Sequence, residues 1–378
     1  MPSQGTSAPD SIRVDVHYPL DEGRIVLRSE GDWDADIEAA SVEDDGRLHR
    51  FEVASSEPFL YYKAVRVDAS GEHWSCGPNR LATTGADRAF DAFPFFEPAG
   101  AQLTELETVT GPSGSWEVRV CLPPGYEENA CHRYPVLFMN DGHTLFFRQE
   151  SPTGKKWDVQ DTLSQLDEMT SVEQVIVVAV YPVDRMRDYG SEGSEAYASF
   201  LADTLVPWVD ERFRTLPDAS HRALLGSSLG GVSALHCAWS RPDALGMAGC
   251  LSASFGYDDD LKERVLAGPR PDLRIYLDSG WPRDNFEVTR DMRARLTRAG
   301  FTEGQDLLYF AFPGARHSET DWGDRVHLPF QFFFGQRPDV RSRAGRAAKE
   351  ARRRSSKAKT KTTSKRKSAG RRKNEPRP

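Results

Sequence analysis

The period of apolar and polar positions changes once along the chain. Residues 12 to 67 carry short alternating runs, RVDVHY, RIVLR, LHRFEV and FLYYKAVRV, separated by acidic or glycine-containing turns such as EDDG and DASG. A period of two puts alternate side chains on opposite faces of a strand. No helix-period stretch interrupts these runs, so a small antiparallel β-sandwich is predicted. An aromatic, less regular stretch, AFDAFPFFEPAGAQ, leads to a boundary near residue 102. Beyond it the strands become nearly continuous apolar runs: SWEVRVCL, YPVLFMN, EQVIVVAVYP, RALLG, MAGCLSAS, LRIYLDSG and DLLYFAFPG. Between them lie helix-period segments: VQDTLSQLDEMT, residues 195 to 213 with an internal Pro207, a segment after Ser228, FEVTRDMRARLTRAG, and a last one near WGDRVHLPFQFFF. Strands that are apolar on both sides and alternate with helices predict a mostly parallel sheet covered on both faces. The expected organisation is a disordered N-terminus (1–11), a β-sandwich (12–98), an α/β domain (103–337) and a basic tail (338–378).

Charge sharpens that division. From Arg341 to Pro378 there are 17 Lys or Arg against Glu350 and Glu375, a net of +15; with −8 for the whole chain, the remainder carries −23. Residues 341 to 378 have no aromatic residue and no aliphatic side chain larger than Ala, so they lack the apolar surface to offset chain entropy and are expected to be disordered. Such an arm fits a polyanion, nucleic acid or acidic lipid, or equally a solvated tail that touches the acidic body. No run of about 18 apolar residues exists to span a bilayer. The N-terminus MPSQGTSAPD lacks the basic start and apolar core of a secretory signal. Cys76, Cys121, Cys131, Cys237 and Cys250 are scattered and odd in number. They argue against a disulfide framework or a zinc site and for a reducing, cytoplasmic location.

Candidate chemistry centres on RALLGSSLGGVSALHCAW. The pattern Gly-x-Ser-x-Gly arises by chance in roughly one chain in ten of this length, so its context decides. The apolar strand before it and the helical segment after it are the setting of a nucleophile elbow, which presents Ser228 above the sheet edge on a strained turn. A serine hydroxyl needs a base to take its proton and a carboxylate to orient the base, in the chain order Ser, acid, His. Of nine histidines only His317 and His327 follow the late strands. His317 leaves the last strand in FPGARHSETDW, whereas His327 falls inside a helical pattern, so His317 is the predicted base. The stretch IYLDSGWPRDNFEV offers both Asp278 and Asp284 as the acid. Asp278 ends the strand itself; Asp284 lies in the loop beyond, within reach of a His317 loop, and is preferred. The tetrahedral oxyanion needs two N–H donors, one expected from Leu229, the residue after the serine.

Taken together, YPVLFMNDGHTLFF, VDRMRDYG, LADTLVPWVDERFRT, GSSLGG and HSETDWGDR resemble the esterases typified by enterochelin esterase, S-formylglutathione hydrolase and bacterial feruloyl esterases, over about residues 103 to 337. The resemblance implies an α/β-hydrolase fold, a doubly wound and mostly parallel sheet. It also implies hydrolysis of a small carboxylic ester or thioester without cofactor or metal; some relatives transfer the acyl group to another alcohol instead. It places the second oxyanion donor at Gly142 or His143 and the substrate-side contacts at Asp141, Arg187 and Trp322. It supports Asp284 too, since the family's acid follows a strand, a glycine and a short loop, with an aromatic two residues on, here Phe286. One departure is His143–Thr144, where Gln–Asn is common.

The leading β module resembles early-set, carbohydrate-binding-type modules through FLYYKAVRVDASGEHWSCGPN. There Trp74 or Tyr61 would stack on a sugar if exposed, against the expectation that they fill the sandwich core or pack on the α/β domain. The competing function class is thus a carbohydrate- or polyanion-binding protein with a non-catalytic hydrolase domain. No Walker loop, GxGxxG, HExxH or metal-spaced His/Cys cluster is present, so nucleotide and metal chemistry have no support. Deleting residues 341 to 378 is expected to leave kcat/KM on a small neutral ester unchanged and to abolish salt-sensitive retention on heparin or DNA. Equal retention of the truncated and full chains would refute the polyanion role.

Overall fold

The computed structural model describes residues 10–84, 86 and 88–335; the terminal segment 1–9 and the basic tail expected over 338–378 lie outside the described residues. The first nine strands are β1 (Asp10–His17), β2 (Arg24–Ser29), β3 (Asp32–Ile37), β4 (Ser41–Glu43), β5 (Leu48–Ser55), β6 (Phe59–Asp68), β7 (Gly71–Trp74), β8 (Arg80–Thr83) and β9 (Phe90–Ala92). They form two sheets, ordered β4-β5-β1-β9 and β3-β2-β6-β7, with β8 also on β6. The alternation read from the sequence sets the core: Ile12, Val14, Val16, Phe51 and Val53 of one sheet face Ile25, Leu27, Leu60, Tyr62 and Ala64 of the other. Five strands, β3, β4, β7, β8 and β9, lie outside the four runs read from the sequence. The acidic DWDADI of β3 buries almost nothing and forms a sheet edge, where charge discourages further pairing. The three-residue β9 is too short to show a period and pairs parallel with β1, so the module is not wholly antiparallel. The outward face of β6 and β7 carries Tyr61 and Trp74, 41% and 39% exposed. This corrects the expectation that they fill the core; Trp74 instead lies 6.3 Å from Trp33 with the Arg28 guanidinium 5.2 Å from its ring.

A second group of strands follows: β10 (Gln102–Leu103), β11 (Glu107–Gly111), β12 (Gly114–Leu122), β13 (Val136–Met139), β14 (Ile176–Tyr181), β15 (Arg222–Ser227), β16 (Met247–Leu251), β17 (Arg274–Trp281) and β18 (Leu307–Pro313). They build one sheet of order β10-β12-β14-β13-β15-β16-β17-β18, with β11 also on β12. From β14 to β18 every pair is parallel. The continuous apolar runs exist because both faces are covered: Val136, Phe138 and Leu224 join one core, while Leu137, Met139, Ala223 and Leu225 join the other. The helix expected over 195–213 spans Ser194–Arg212, but it widens into a π turn at Leu201–Leu205. Pro207, with no amide to bond one turn back, lies just beyond that turn. The last helical segment is two helices, Glu319–Arg325 and His327–Phe334.

The sandwich meets the α/β portion through residues 128 to 132. Glu128 accepts hydrogen bonds from the Tyr18 hydroxyl (2.9 Å) and from the amides of Phe96 and Glu97 (2.8 and 2.9 Å). The buried Asn129 side chain donates to the carbonyls of His17 and Pro94. His132 stacks on Phe93 at 4.2 Å and lies 3.9 Å from Tyr134. Enclosure by these rings, with nearby Arg80, Arg214 and His17 charges adding to it, lowers its pKa to about 3. In the unfolded chain His132 titrates near its ordinary value of about 6.5, so protonation favours the unfolded state as pH falls through the window between 6.5 and 3. The melting temperature is therefore expected to drop on acidification from pH 7 to 5, and His132→Phe to make that drop shallower. An unchanged slope in a thermal-shift series would show that His132 is not neutral at this junction.

Candidate active site

The carboxyl ends of the parallel strands hold the residues singled out by sequence. Strand β15 runs straight into Ser228, whose φ of 55° and ψ of −124° lie outside the favourable regions for a side chain-bearing residue, and the helix Leu229–Ser240 starts directly after it. The turn is this sharp because of two glycines. A Cβ on Gly226 would sit 2.5 Å from the Gly230 carbonyl oxygen, and one on Gly230 would sit 3.0 Å from Asp141 Oδ2. The Ser228 amide donates to the Leu251 carbonyl of β16, and Asn140 Nδ2 donates to the Gly230 carbonyl at 2.8 Å. Ser228 Oγ is 3.2 Å from Ser254 Oγ, which also receives Asn285 Nδ2 at 3.1 Å; among the described residues Ser228 makes no hydrogen bond to His317. Asp141, Ser252 and Asn285 share with Ser228 a positive φ, at 57°, 46° and 57°. Non-glycine strain gathered in this way marks a backbone held by its surroundings.

Asp284 and His317 meet. His317 Nδ1 lies 2.6 Å from Asp284 Oδ1, and the imidazole stands edge-on to Trp322 at 4.9 Å. The imidazole is 38% exposed, so its second nitrogen is within reach of solvent, whereas the Asp284 side chain is wholly covered. Asp284 Oδ2 accepts from the Gly280 amide at 2.7 Å, the Ser252 hydroxyl at 2.5 Å and Arg325 Nη2 at 3.3 Å. Burial works against its ionisation, but the hydrogen bonds from His317, Ser252 and Gly280 outweigh it and hold the carboxyl below its ordinary value. Asp278 behaves differently. It lies within β17, takes the Tyr276 hydroxyl at 2.9 Å and Arg325 Nε at 3.1 Å, and is pushed up to about 6 by complete burial, against the pull of Arg325.

Leu229 and Gly142 each open a helical turn, the second being Gly142–Thr144. First-turn amides such as these and that of His143 have no carbonyl partner within their own helix. Gly142 must lack a side chain, since a Cβ there would lie 2.5 Å from Tyr181 Cδ2. His143 is half-buried, and its burial lowers its pKa and keeps it neutral near pH 7. Asp141 is 6% exposed and its carboxylate is gripped by Arg185, through Nε at 2.8 Å and Nη2 at 3.1 Å, with Arg185 Nη2 also 3.3 Å from the Ser227 carbonyl. Arg187 instead forks onto Asp188. The motif VDRMRDYG contains both arginines, two apart on the short helix Arg185–Tyr189, and spacing alone does not say which one faces the sheet edge. Trp322 is buried, packed 5.8 Å from Trp157 behind the imidazole. A cavity of about 410 Å³ lies beyond it, lined by Trp157, Thr320, Asp324 and His327 among others; neither Ser228 nor His317 is in its wall.

A sheet with six consecutive parallel strands, helices on both faces and a serine on a left-handed strand-to-helix turn defines the α/β-hydrolase class. Residues 111–331 match the family model "Esterase: Putative esterase". The chain belongs to that esterase family and is a carboxylic-ester hydrolase. Among curated proteins it is 23% identical over 213 residues to uncharacterized protein YbbA of Bacillus subtilis, covering 51% of this chain and 82% of that protein. It is 28% identical over 188 residues to an endo-1,4-beta-xylanase/feruloyl esterase of Xylanibacter ruminicola, covering 48% of this chain but 25% of that protein. Among solved structures, a ferulic acid esterase superposes with a TM-score of 0.52 at 16% identity, covering 62% of this chain and 98% of the other. The enterobactin esterase of Shigella flexneri superposes at 0.50 and 13% identity over 88% of this chain and 94% of its own. At these identities the superpositions establish shared fold. No helix among the described residues is long and apolar enough to cross a membrane.

The buried Arg325–Asp278 pair yields a stability test. Removing one partner of a buried pair strands the other, at a cost of roughly 3–5 kcal/mol. Without the guanidinium the folded-state pKa of Asp278, already about 6, rises further above its unfolded value. The penalty then grows as pH rises from the unfolded value towards the raised folded one. Arg325→Met is expected to lower stability to urea, with a larger deficit at pH 8 than at pH 5; equal deficits would mean that Asp278 is not ionised beside Arg325.

Proposed function

We propose that the chain hydrolyses its ester through an acyl-enzyme on Ser228, with His317 as base and Asp284 as the orienting acid. The observation that carries this reading is the 2.6 Å contact between His317 Nδ1 and the ionised Asp284, on loops that leave β17 and β18 at the same sheet edge as Ser228, which follows β15. The Asp284 bond keeps a proton on Nδ1, so the lone pair of the ring is on Nε2. Ser228 turns from Ser254 towards Nε2, gives up its proton there, and its oxygen bonds to the ester carbonyl carbon. The charge that moves onto the carbonyl oxygen is met by the Leu229 amide and by that of Gly142 or His143. The C–O bond to the alcohol breaks as the imidazolium protonates the leaving oxygen. Water then enters, loses a proton to Nε2 and attacks the acyl carbon; the bond from that carbon to Ser228 Oγ breaks as the imidazolium returns the proton to Oγ, releasing the acid. An alcohol in place of that water would make the same residues an acyltransferase.

Asp141 and Arg185 serve the site indirectly: their ion pair, with one guanidinium hydrogen bond on each Asp141 oxygen, holds the Gly142 turn. Val183, Met186, Tyr257 and Trp281 are exposed on the segments at the carboxyl ends of β14, β16 and β17. That rim suits an ester with an apolar or aromatic part, in keeping with the feruloyl and enterobactin esterases to which the chain is similar.

Fluorophosphonate should label Ser228, and Ser228→Ala should lower kcat by several orders of magnitude with the fold intact; more than a tenth of the activity retained would place the nucleophile elsewhere. Asp284→Asn should cost about 10³ to 10⁴ in kcat by leaving the imidazole in the wrong tautomer. Asp278→Asn should move the melting temperature more than the rate. An inactive but stable Asp278→Asn beside an active Asp284→Asn would reverse the assignment.

A further inference from the structure

Ser252 sits at the centre of the cluster behind His317, although no local motif announces it. It follows β16, has no exposed surface, and adopts a φ of 46°. Its amide donates to the Asp278 carbonyl at 2.8 Å and its carbonyl accepts Asn285 Nδ2 at 2.7 Å, so the backbone is held from both sides. A hydroxyl has one proton and two acceptor lone pairs. Trp322 Nε1 donates to Ser252 Oγ at 3.0 Å, and Arg325 Nη2 donates to it at 2.6 Å. An indole N–H and a guanidinium N–H can only donate. Both lone pairs are therefore occupied, and the proton has one acceptor left, Asp284 Oδ2 at 2.5 Å.

We propose that Ser252 is a positioning residue whose hydroxyl is locked in one direction by Trp322 and Arg325, so that it holds Oδ2 of Asp284 and leaves Oδ1 aimed at His317. The inference rests on the triad reading given above. A carboxylate can turn and exchange its two oxygens; three donors on Oδ2 against the one imidazole on Oδ1 select a single orientation. Asp278 takes part at one remove, since its Oδ1 holds Arg325 Nε and with it the guanidinium that caps Ser252. Trp322 has two functions from one ring: its surface packs edge-on against His317 and its N–H fixes Ser252.

The test compares full-length wild type, Ser252→Ala, Trp322→Phe and the double variant on p-nitrophenyl acetate, with active sites counted by fluorophosphonate titration. Ser252→Ala is expected to lower kcat per titrated site by about 10- to 100-fold, the size of one lost hydrogen bond to a charged group, with KM within about twofold. Trp322→Phe keeps an aromatic ring against His317 and frees one lone pair of Ser252; a loss of about three- to tenfold is expected. In the Ser252→Ala background the same change should alter kcat by less than about twofold, because the hydroxyl it directs is gone. The low-field imidazole N–H proton resonance should shift in Ser252→Ala. A wild-type kcat per titrated site in Ser252→Ala, or losses that multiply in the double variant, would overturn the proposal while leaving Ser228 as nucleophile. If Ser252→Ala does not fold, an unchanged kcat in Trp322→Phe overturns it. A wild type that the probe does not label removes the triad reading, and this inference with it.

Discussion

One guanidinium stands between two buried carboxylates. Arg325 is 4% exposed and reaches Asp278 through Nε and Asp284 through Nη2, while neither carboxylate side chain has any exposed surface. A single positive charge cannot neutralise two anions, and an unpaired charge in such a place costs several kcal/mol. The surroundings settle the imbalance. Asp284 gains a backbone amide, a serine hydroxyl and an imidazole as donors, and its carboxyl falls below the ordinary value. Asp278 gains the Tyr276 hydroxyl and Arg325 but loses all water, and its carboxyl rises to about 6. The two acids are pushed apart in the way that gives paired carboxyls different roles. The anion is secured where the imidazole needs it.

That division depends on the parallel sheet. Because β13 to β18 all run the same way, their following loops gather on one edge, and each strand delivers something there. Asp141 and Gly142 follow β13, Arg185 follows β14, Ser228 follows β15, Ser252 and Ser254 follow β16, Asp284 and Asn285 follow β17, and His317 follows β18. The strained backbone at Asp141, Ser228, Ser252 and Asn285 is held by hydrogen bonds to neighbouring strands and loops as well as by local ones. Strands buried on both faces supply a rigid base for that edge. The β-sandwich is tied to the α/β portion through Glu128, Asn129 and the His132 stack, and contributes none of the residues around Ser228 described above.

What the sequence determined by itself was local or periodic. The apolar runs specified the strands and their burial on both faces, the Gly-Ser-Ser-Leu-Gly turn between a strand and a helix specified the position of Ser228, and chain order singled out His317. Strand β3 escaped because its acidic residues belong to an edge, and β9 because three residues carry no period. The tertiary structure alone decided which of two neighbouring arginines grips Asp141, that Trp322 lies behind the imidazole, and that Ser252, Arg325 and Asp278 brace Asp284. Apart from the His317–Trp322 contact, these join strand ends, loops and helices 32 to 73 residues apart. A side chain on such a loop takes its role from the direction in which the neighbouring strand ends, and no pattern within one segment carries that direction.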